Sequence, residues 1–305
     1  MGKSGRLLLG SRGSSLAMTS FPPDTAATPR WRPGALLMAS AAVHAGAAVS
    51  LLAAPAQWPW ALAALAANHA LITATGLWPR SSGLGPNVTR LPGATATLAL
   101  TIDDGPDAEV TPQVLDLLRR DGVKATFFLI AERAEAHPAL VRRIVAEGHA
   151  VGNHSFRHRH NFSLLGPRGF AAEIERAQAT LERLSGRRPA WFRAPAGLRN
   201  PFLDPVLHRL GLTLVSWTRR GFDTRERDPA TVLARLTRGL RGGDILLLHD
   251  GHCARDTTGR PVVLEVLPRL LEQSRRAGWR WVTLDEALPA RTTPTPSSSK
   301  IELAP

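Results

Sequence analysis

The sequence predicts an α/β fold, a parallel sheet with crossover helices that is either closed as a barrel or doubly wound, behind an apolar helical hairpin. Three observations carry this expectation. Strand-like and helix-like segments alternate from residue 97 onward. Polar residues able to do chemistry follow one strand after another, as at the carboxyl ends of parallel strands. Between Pro33 and Pro79 there is no Asp, Glu, Lys or Arg.

The 305 residues, 44% hydrophobic, suffice for one core of roughly 200 residues with flanking segments. The net charge of +13 suits anionic partners. Zinc-knuckle spacing, an RNA-binding aromatic signature and a long basic run are all missing, so nucleic acid is not the expected partner. Cys253 is the only cysteine, which excludes an internal disulfide and a cysteine-based metal site.

Residues 1–33 read as a flexible basic arm, with Lys3, Arg6, Arg12, Arg30 and Arg32 against Asp24. Residues 34–79 read as a two-helix transmembrane hairpin. Pro55 and Pro59 divide the stretch into two pieces near the ~20 residues a bilayer requires. Trp58, Trp60 and Trp78 sit at the ends of those pieces, where headgroups favour amphipathic rings. His44, Asn68 and His69 make insertion marginal, which leaves open a helical pair buried on the soluble domain. Ala54 and Ala56 also form a small-residue cleavage pattern, although the apolar run before them is long for a secretory signal. Two spans put the arm and Arg80 and Arg90 on one side, the cytoplasmic one by the positive-inside rule. With one span the catalytic domain lies in the periplasm or outside the cell.

A Gly- and Pro-rich linker, 80–96, leads into a domain over 97–290. Strands are expected at Thr97–Ile102, Ala125–Ile130, Ala150–Asn153, Ala190–Phe192, Leu212–Trp217, Ile245–Leu248 and Trp279–Leu284. Thr111-Pro112 supplies an N-cap and a first-turn proline for a helix ending at Asp121-Gly122. Further helices are expected near 138–147, 170–185, 201–210, 229–240 and 262–277. The Thr-Pro and Ser runs of 291–305 read as a disordered tail.

Five constellations follow the strands: Asp103-Asp104, His154 with His158, Arg193 before Pro195 and Gly197, Trp217 with Asp223, and His249-Asp250. Adjacent carboxylates repel and add nothing to stability, so Asp103 and Asp104 suggest a site where one meets a metal and the other a proton. Two histidines four apart can converge on one cation. With one aspartate they make a three-ligand site that keeps a position open for water and substrate.

Taken together, TIDDGP (101–106), HSFRH (154–158), RAPAG (193–197) and ILLLHD (245–250) resemble the motifs of the NodB-homology polysaccharide deacetylases, carbohydrate esterase family 4. The resemblance implies a distorted (β/α) barrel and metal-dependent removal of acyl groups from N-acylated sugars. It implies Asp103 as general base, Asp104, His154 and His158 as metal ligands, and His249 as general acid. Arg193 would hold Asp103, Asp223 would pair with His249, and Leu247 would line the acyl pocket beside Pro195 and Trp217. The cofactor implied is a divalent ion, with zinc first for two imidazoles and a carboxylate.

WTRRGFDT departs from the family pattern: Arg220 stands where an Asp is usual and Thr224 where a Trp is usual. That removes an apolar wall and raises the question whether Arg219 and Arg220 meet a phosphate. The expected activity is hydrolysis of the N-acyl group, acetyl first, from an amino sugar of a polysaccharide or lipid-linked glycan at the inner or plasma membrane. The alternatives are a deformylase or deacetylase of an undecaprenyl-type lipid-linked sugar and, from another class, a non-catalytic carbohydrate-binding or scaffold role. The sequence points to no protein partner.

Overall fold

The structure, a computed structural model, describes residues 30–94 and 96–289. The basic arm up to residue 29 and the tail 291–305 lie outside the described residues. The first elements are the apolar helices α1 (Ala35–Ala53) and α2 (Trp58–Leu77), joined by a short 3₁₀ turn, Pro55–Gln57. Pro55 and Pro59 fall in first turns, where a missing N–H leaves no helical bond unmade. The polar residues of the pair find each other: Asn68 Nδ2 donates to Ser40 Oγ at 3.0 Å, and the Nε2 atoms of His44 and His69 are 3.3 Å apart. Only 11% and 17% of the two apolar windows are buried, so this pair is not a core element of the soluble domain. By length and composition both helices are able to cross a membrane.

The hairpin packs closely on the domain at the end of α2. The Gly76 carbonyl accepts from Arg199 N–H at 3.1 Å, and a Cβ on Gly76 would lie 2.2 Å from the Arg199 carbonyl oxygen. Only glycine fits that approach.

All sheet pairing among the named strands is parallel. The strands are β1 (Thr97–Asp103), β2 (Thr126–Leu129), β3 (Ala150–Asn153), β4 (Trp191–Phe192), β5 (Thr213–Leu214), β6 (Arg219–Arg220), β7 (Ile245–His249) and β8 (Arg280–Val282). Their order is β5-β4-β3-β2-β1-β7-β6, and β8 pairs with the first half of β1. The crossovers carry helices α3 (Val110–Arg120), α4 (Ala131–Ala136), α5 (Pro138–Ala146), α6 (Pro167–Ser185), α7 (Leu203–Arg209), α8 (Pro229–Thr237) and α9 (Val262–Arg276), and α10 (Leu284–Ala287) follows β8. The result is the distorted (β/α) barrel that the resemblance implied. β5 and β6 do not pair directly, and the stretch read as a linker fills part of that gap. Val88 pairs in parallel with Val215, Arg90 bridges Asp244, and Leu84 and Leu91 are buried.

The period-two alternation of the strands separates two apolar layers. Leu98, Leu100 and Ile102 of β1 pack outward with Phe127, Leu246, Leu248 and residues of α3 and α9. Ala99 belongs to the inner cluster with Phe128, Trp191 and Ile245. Asp103 follows Ala99 at even spacing, and His249 follows Leu247. The β1–β7 register sets Asp103 directly beside His249 at the mouth.

Three elements were not expected: α4, α10 and β6. The β6 sequence is Arg-Arg, which carries no strand signal, and its backbone pairs only because it lies along β7. The N-cap assignment also changes. Thr111 lies inside α3, and the free N–H groups of Glu109 and Val110 donate instead to Asp107 Oδ1 at 2.9 and 2.8 Å. Thr111 Oγ1 turns away to donate to Asp250 Oδ2 at 2.5 Å. Asp107→Ala is therefore expected to cost about 1 kcal/mol in denaturant unfolding. An unchanged midpoint would deny the carboxylate its capping role.

Candidate active site

The site begins with a positive-φ turn. β1 ends at Asp103, and Asp104 takes φ 72°, which turns the chain so that both carboxylates stay at the barrel mouth. Both are buried, 2% and 5% exposed. Asp250 supports this turn from below: a Cβ on Gly105 would lie 2.5 Å from the Asp250 carboxylate oxygens. Burial pushes the Asp250 carboxyl up to about 7, against hydrogen bonds from Thr111 and the Gly251 N–H. Asp250 thus underlies the site and does not line it.

Arg193 follows β4 and is 1% exposed. Its Nη1 donates to Asp103 Oδ1 at 2.7 Å and to Thr101 Oγ1 at 2.8 Å. Nε donates to the Val215 carbonyl and Nη2 to the Ser216 carbonyl, at 3.2 and 2.9 Å. The guanidinium lies 4.1 Å over the Phe128 ring. One carboxylate oxygen of Asp103 is therefore fixed.

His154 follows β3. Its Nδ1–H donates to the Arg193 carbonyl at 2.8 Å, which turns Nε2 toward Asp104 Oδ1 at 3.2 Å. His158, at φ 50°, presents its own Nε2 to the same oxygen at 3.3 Å. The three ligand atoms lie within 4.8 Å of one another. Asp104 Oδ1 is buried without a hydrogen-bond partner among the described residues.

An orphaned carboxylate oxygen facing two imidazole nitrogens fits a divalent cation. The electrostatics agree. Burial works against charge on Asp104, yet the facing rings of His154 and His252 hold its carboxyl far below the usual range. Burial likewise opposes a charged His154, and Asp103 and Asp104 outweigh it and pull the ring up. Both directions mean that these atoms favour a positive charge among them, whether a proton or a metal ion. Burial and His154 hold His158 down at about 4, leaving it neutral as a ligand must be.

Opposite stands His249. Its backbone N–H and its Nδ1–H donate to the two oxygens of Asp223, at 2.7 and 2.9 Å. Burial works against the charged ring, but Asp223, with help from Asp103 and Asp104, pushes it up to about 9. Asp223 is completely buried.

Asp103, Asp104, His154, His158 and His249 line a cleft of about 260 Å³ together with Leu247, Trp217, Arg220 and Thr224, while Arg193 and Asp223 are buried behind it. The turn Pro195–Gly197 bounds the cleft through Ala196 and Gly197, while Pro195 itself is buried behind it. Arg219 does not reach the cleft: its Nε binds Asp244 Oδ2 at 2.9 Å. Arg220 does, with its guanidinium 5.3 Å from the Trp217 ring and 5.0 Å from the Phe222 ring.

Sequence reasoning missed His252 and Arg133. His252 Nδ1 donates to Asp104 Oδ2 at 3.3 Å, and its Nε2 accepts from Arg133 Nη2 at 2.6 Å. Arg133 Nη1 donates to the Asp104 carbonyl at 3.0 Å. The signal available was a fourth histidine close behind His249-Asp250. Arg133 sits in an unremarkable helical run and offered none.

Residues 91–215 match the polysaccharide deacetylase family model. A peptidoglycan-N-acetylglucosamine deacetylase of Bacillus cereus is 32% identical over 208 residues, 65% of this chain and 91% of the relative. A chitooligosaccharide deacetylase of Azorhizobium caulinodans is 35% identical over 157 residues, 51% of this chain and 74% of the relative. Among solved structures, a peptidoglycan N-acetylglucosamine deacetylase in complex with an N-oxidanyl-benzamide superposes with a TM-score of 0.62 at 29% identity, covering 68% of this chain and 95% of that one. A family 4 acetyl xylan esterase from Clostridium thermocellum in complex with a cobalt ion superposes at 0.56 with 30% identity, covering 63% and 89%. With most of a relative's length matched above 30% identity, and the motif residues gathered at one barrel mouth, this chain belongs to the polysaccharide deacetylase family and is a hydrolase of carbon–nitrogen bonds other than peptide bonds.

Proposed function

We propose that this protein is a metal-dependent deacylase that removes the N-acyl group, acetyl first, from an amino sugar of a glycan. The observation that carries the reading is the register of β1 on β7, which sets Asp103 and His249 side by side over one cleft. One is a carboxylate tethered by Arg193; the other is an imidazole charged by Asp223.

Asp104, His154 and His158 would hold the ion, with zinc favoured by two imidazoles and one carboxylate. When bound, such an ion acidifies a water and polarises the acyl carbonyl. Asp103 takes the proton of the attacking water, its Oδ1 fixed by Arg193 and Oδ2 left to the cleft. His249, protonated through neutral pH, gives a proton to the departing amine, which would otherwise leave as a poor anion. Trp217 and Leu247 bound the space for the acyl methyl group, with Pro195 packed behind the cleft wall. Intact candidates for base, acid and ligands favour this reading over a silent carbohydrate-binding or scaffold protein. Relatives named as deacetylases of peptidoglycan and of chitooligosaccharide support an N-acetylglucosamine unit as the sugar.

The hairpin favours a membrane-bound enzyme and a lipid-linked form of the glycan, because a small soluble substrate needs no anchor. Two spans, with Arg80 and Arg90 just beyond them, favour a cytoplasmic catalytic domain.

Asp103→Asn is expected to retain the metal, read by elemental analysis, and to lose at least about 100-fold in kcat. His154→Ala is expected to lose both metal and turnover. Wild-type rates in Asp103→Asn would refute the base assignment. Because His249 must be protonated to act and its pKa lies near 9, the rate should fall as pH rises through about 9. Asp223→Asn removes the main opposing charge, so that alkaline limb should move to lower pH; an unmoved limb would disconnect Asp223 from the acid. A reporter active on one side of the membrane only, fused after Pro305, should signal from the cytoplasm. A signal from outside would mean that one helix spans and would redirect assays to peptidoglycan and secreted polysaccharide.

A further inference from the structure

A second cavity, about 650 Å³, opens beside the catalytic cleft at the foot of the hairpin. Trp78 and Pro79 bound it on the hairpin side, and Trp217 and Arg220 are walls of both cavities. The space is basic: Arg80, Arg219, Arg220, Arg235 and Arg238 all line it, and no Asp or Glu does. Two of these charges are already compensated, Arg219 by Asp244 and Arg235 by Glu226. Arg80, Arg220 and Arg238 form no ion pair among the described residues. Arg220 is the most telling. Burial pulls its guanidinium pKa down, and its Nε is buried without a hydrogen-bond partner among the described residues. A half-buried guanidinium kept between Trp217 and Phe222, with a donor unspent, suits an anion that arrives with the substrate.

The position specifies the anion further. The joint at Gly76 and Arg199 anchors the end of α2, and Ser216 Oγ donates to the Pro79 carbonyl at 2.6 Å. The cavity is thereby held beside Trp78, just past the end of α2, the level that a lipid headgroup takes when such a helix spans a bilayer.

We propose that this cavity is a phosphate subsite, in which Arg80, Arg220 and Arg238 bind the phosphate or diphosphate that links the N-acylated sugar to a membrane lipid. The assignment rests on the deacylase reading with a lipid-linked glycan and adds the group recognised and its site: the phosphate of a polyisoprenyl-type sugar, with the lipid beside the hairpin and the acyl group in the cleft. Thr224, in place of the family's usual tryptophan, and Arg220, in place of the usual aspartate, are then parts of one change from a neutral polymer groove to an anion-binding one.

The test uses the full chain in nanodiscs with its metal, and the double variant Arg80→Gln/Arg238→Gln, both exposed positions outside the cleft. Three substrates separate the sources: a neutral N-acetyl chitooligosaccharide, a nucleotide diphosphate N-acetylglucosamine, and a short-chain polyisoprenyl diphosphate N-acetylglucosamine. The expected result is a rise of about tenfold or more in KM for the polyisoprenyl substrate alone, with the chitooligosaccharide kinetics unchanged, which also reports that the variant is folded. Equal effects on all three substrates, or none, would overturn the subsite while leaving the deacylase reading intact. A nucleotide sugar used as well as the polyisoprenyl one, and equally sensitive to the variant, would overturn the lipid assignment. If the wild type releases acetate from none of the three, the deacylase reading falls, and the proposal with it.

Discussion

The Arg193 guanidinium is the contact on which the mouth of the barrel depends. It is a fully buried charge, and a buried charge is tolerated only when its donors are spent. Here they reach four points: Asp103 and Thr101 on β1, and the Val215 and Ser216 carbonyls beyond β5. The Phe128 ring of β2 closes the remaining face. Removing either partner of the Arg193–Asp103 pair would leave an uncompensated interior charge, a cost of about 3–5 kcal/mol. The pair therefore constrains the sheet and the site together, since moving a strand end strands a charge.

The same residue reaches the metal candidates through its backbone. Its carbonyl takes the Nδ1 proton of His154 and so decides which nitrogen faces Asp104. Base candidate and ligand candidate are thus set by two ends of one arginine. On the other wall Asp223 does similar work for His249, binding both its backbone and its ring. Each working group stands against a buried partner that is itself held, which is how a site keeps its geometry in the absence of substrate.

Legibility from the sequence followed locality. The motifs TIDDGP, HSFRH, RAPAG and ILLLHD are short, and each holds its chemistry within a few residues of a strand end. In the folded sheet, alternation along β1 and β7 puts Asp103 on the face of Ala99 and His249 on that of Leu247. Where the signal depended on distant partners, it failed. Thr111 has the composition of an N-cap, but a buried carboxylate 139 residues away claims its hydroxyl. Arg219 and Arg220 look alike in sequence, yet one is committed to Asp244 and the other turns to the cleft. Strand alternation sends neighbours to opposite sides.

The chain by itself determined the parallel α/β plan and the two apolar helices, because periodicity is a local property, and its short motifs carried the resemblance that implied the family and the candidate base, acid and ligands. Tertiary structure decided how the sheet opens between β5 and β6, what fills that gap, which oxygen of Asp104 is left without a donor, and that His252 and Arg133 stand behind it. It also decided that the hairpin ends against the wall of the site. Gly76 and Pro79 meet Arg199, Gly197 and Ser216 more than a hundred residues later in the chain, and only close packing of folded surfaces brings such partners together.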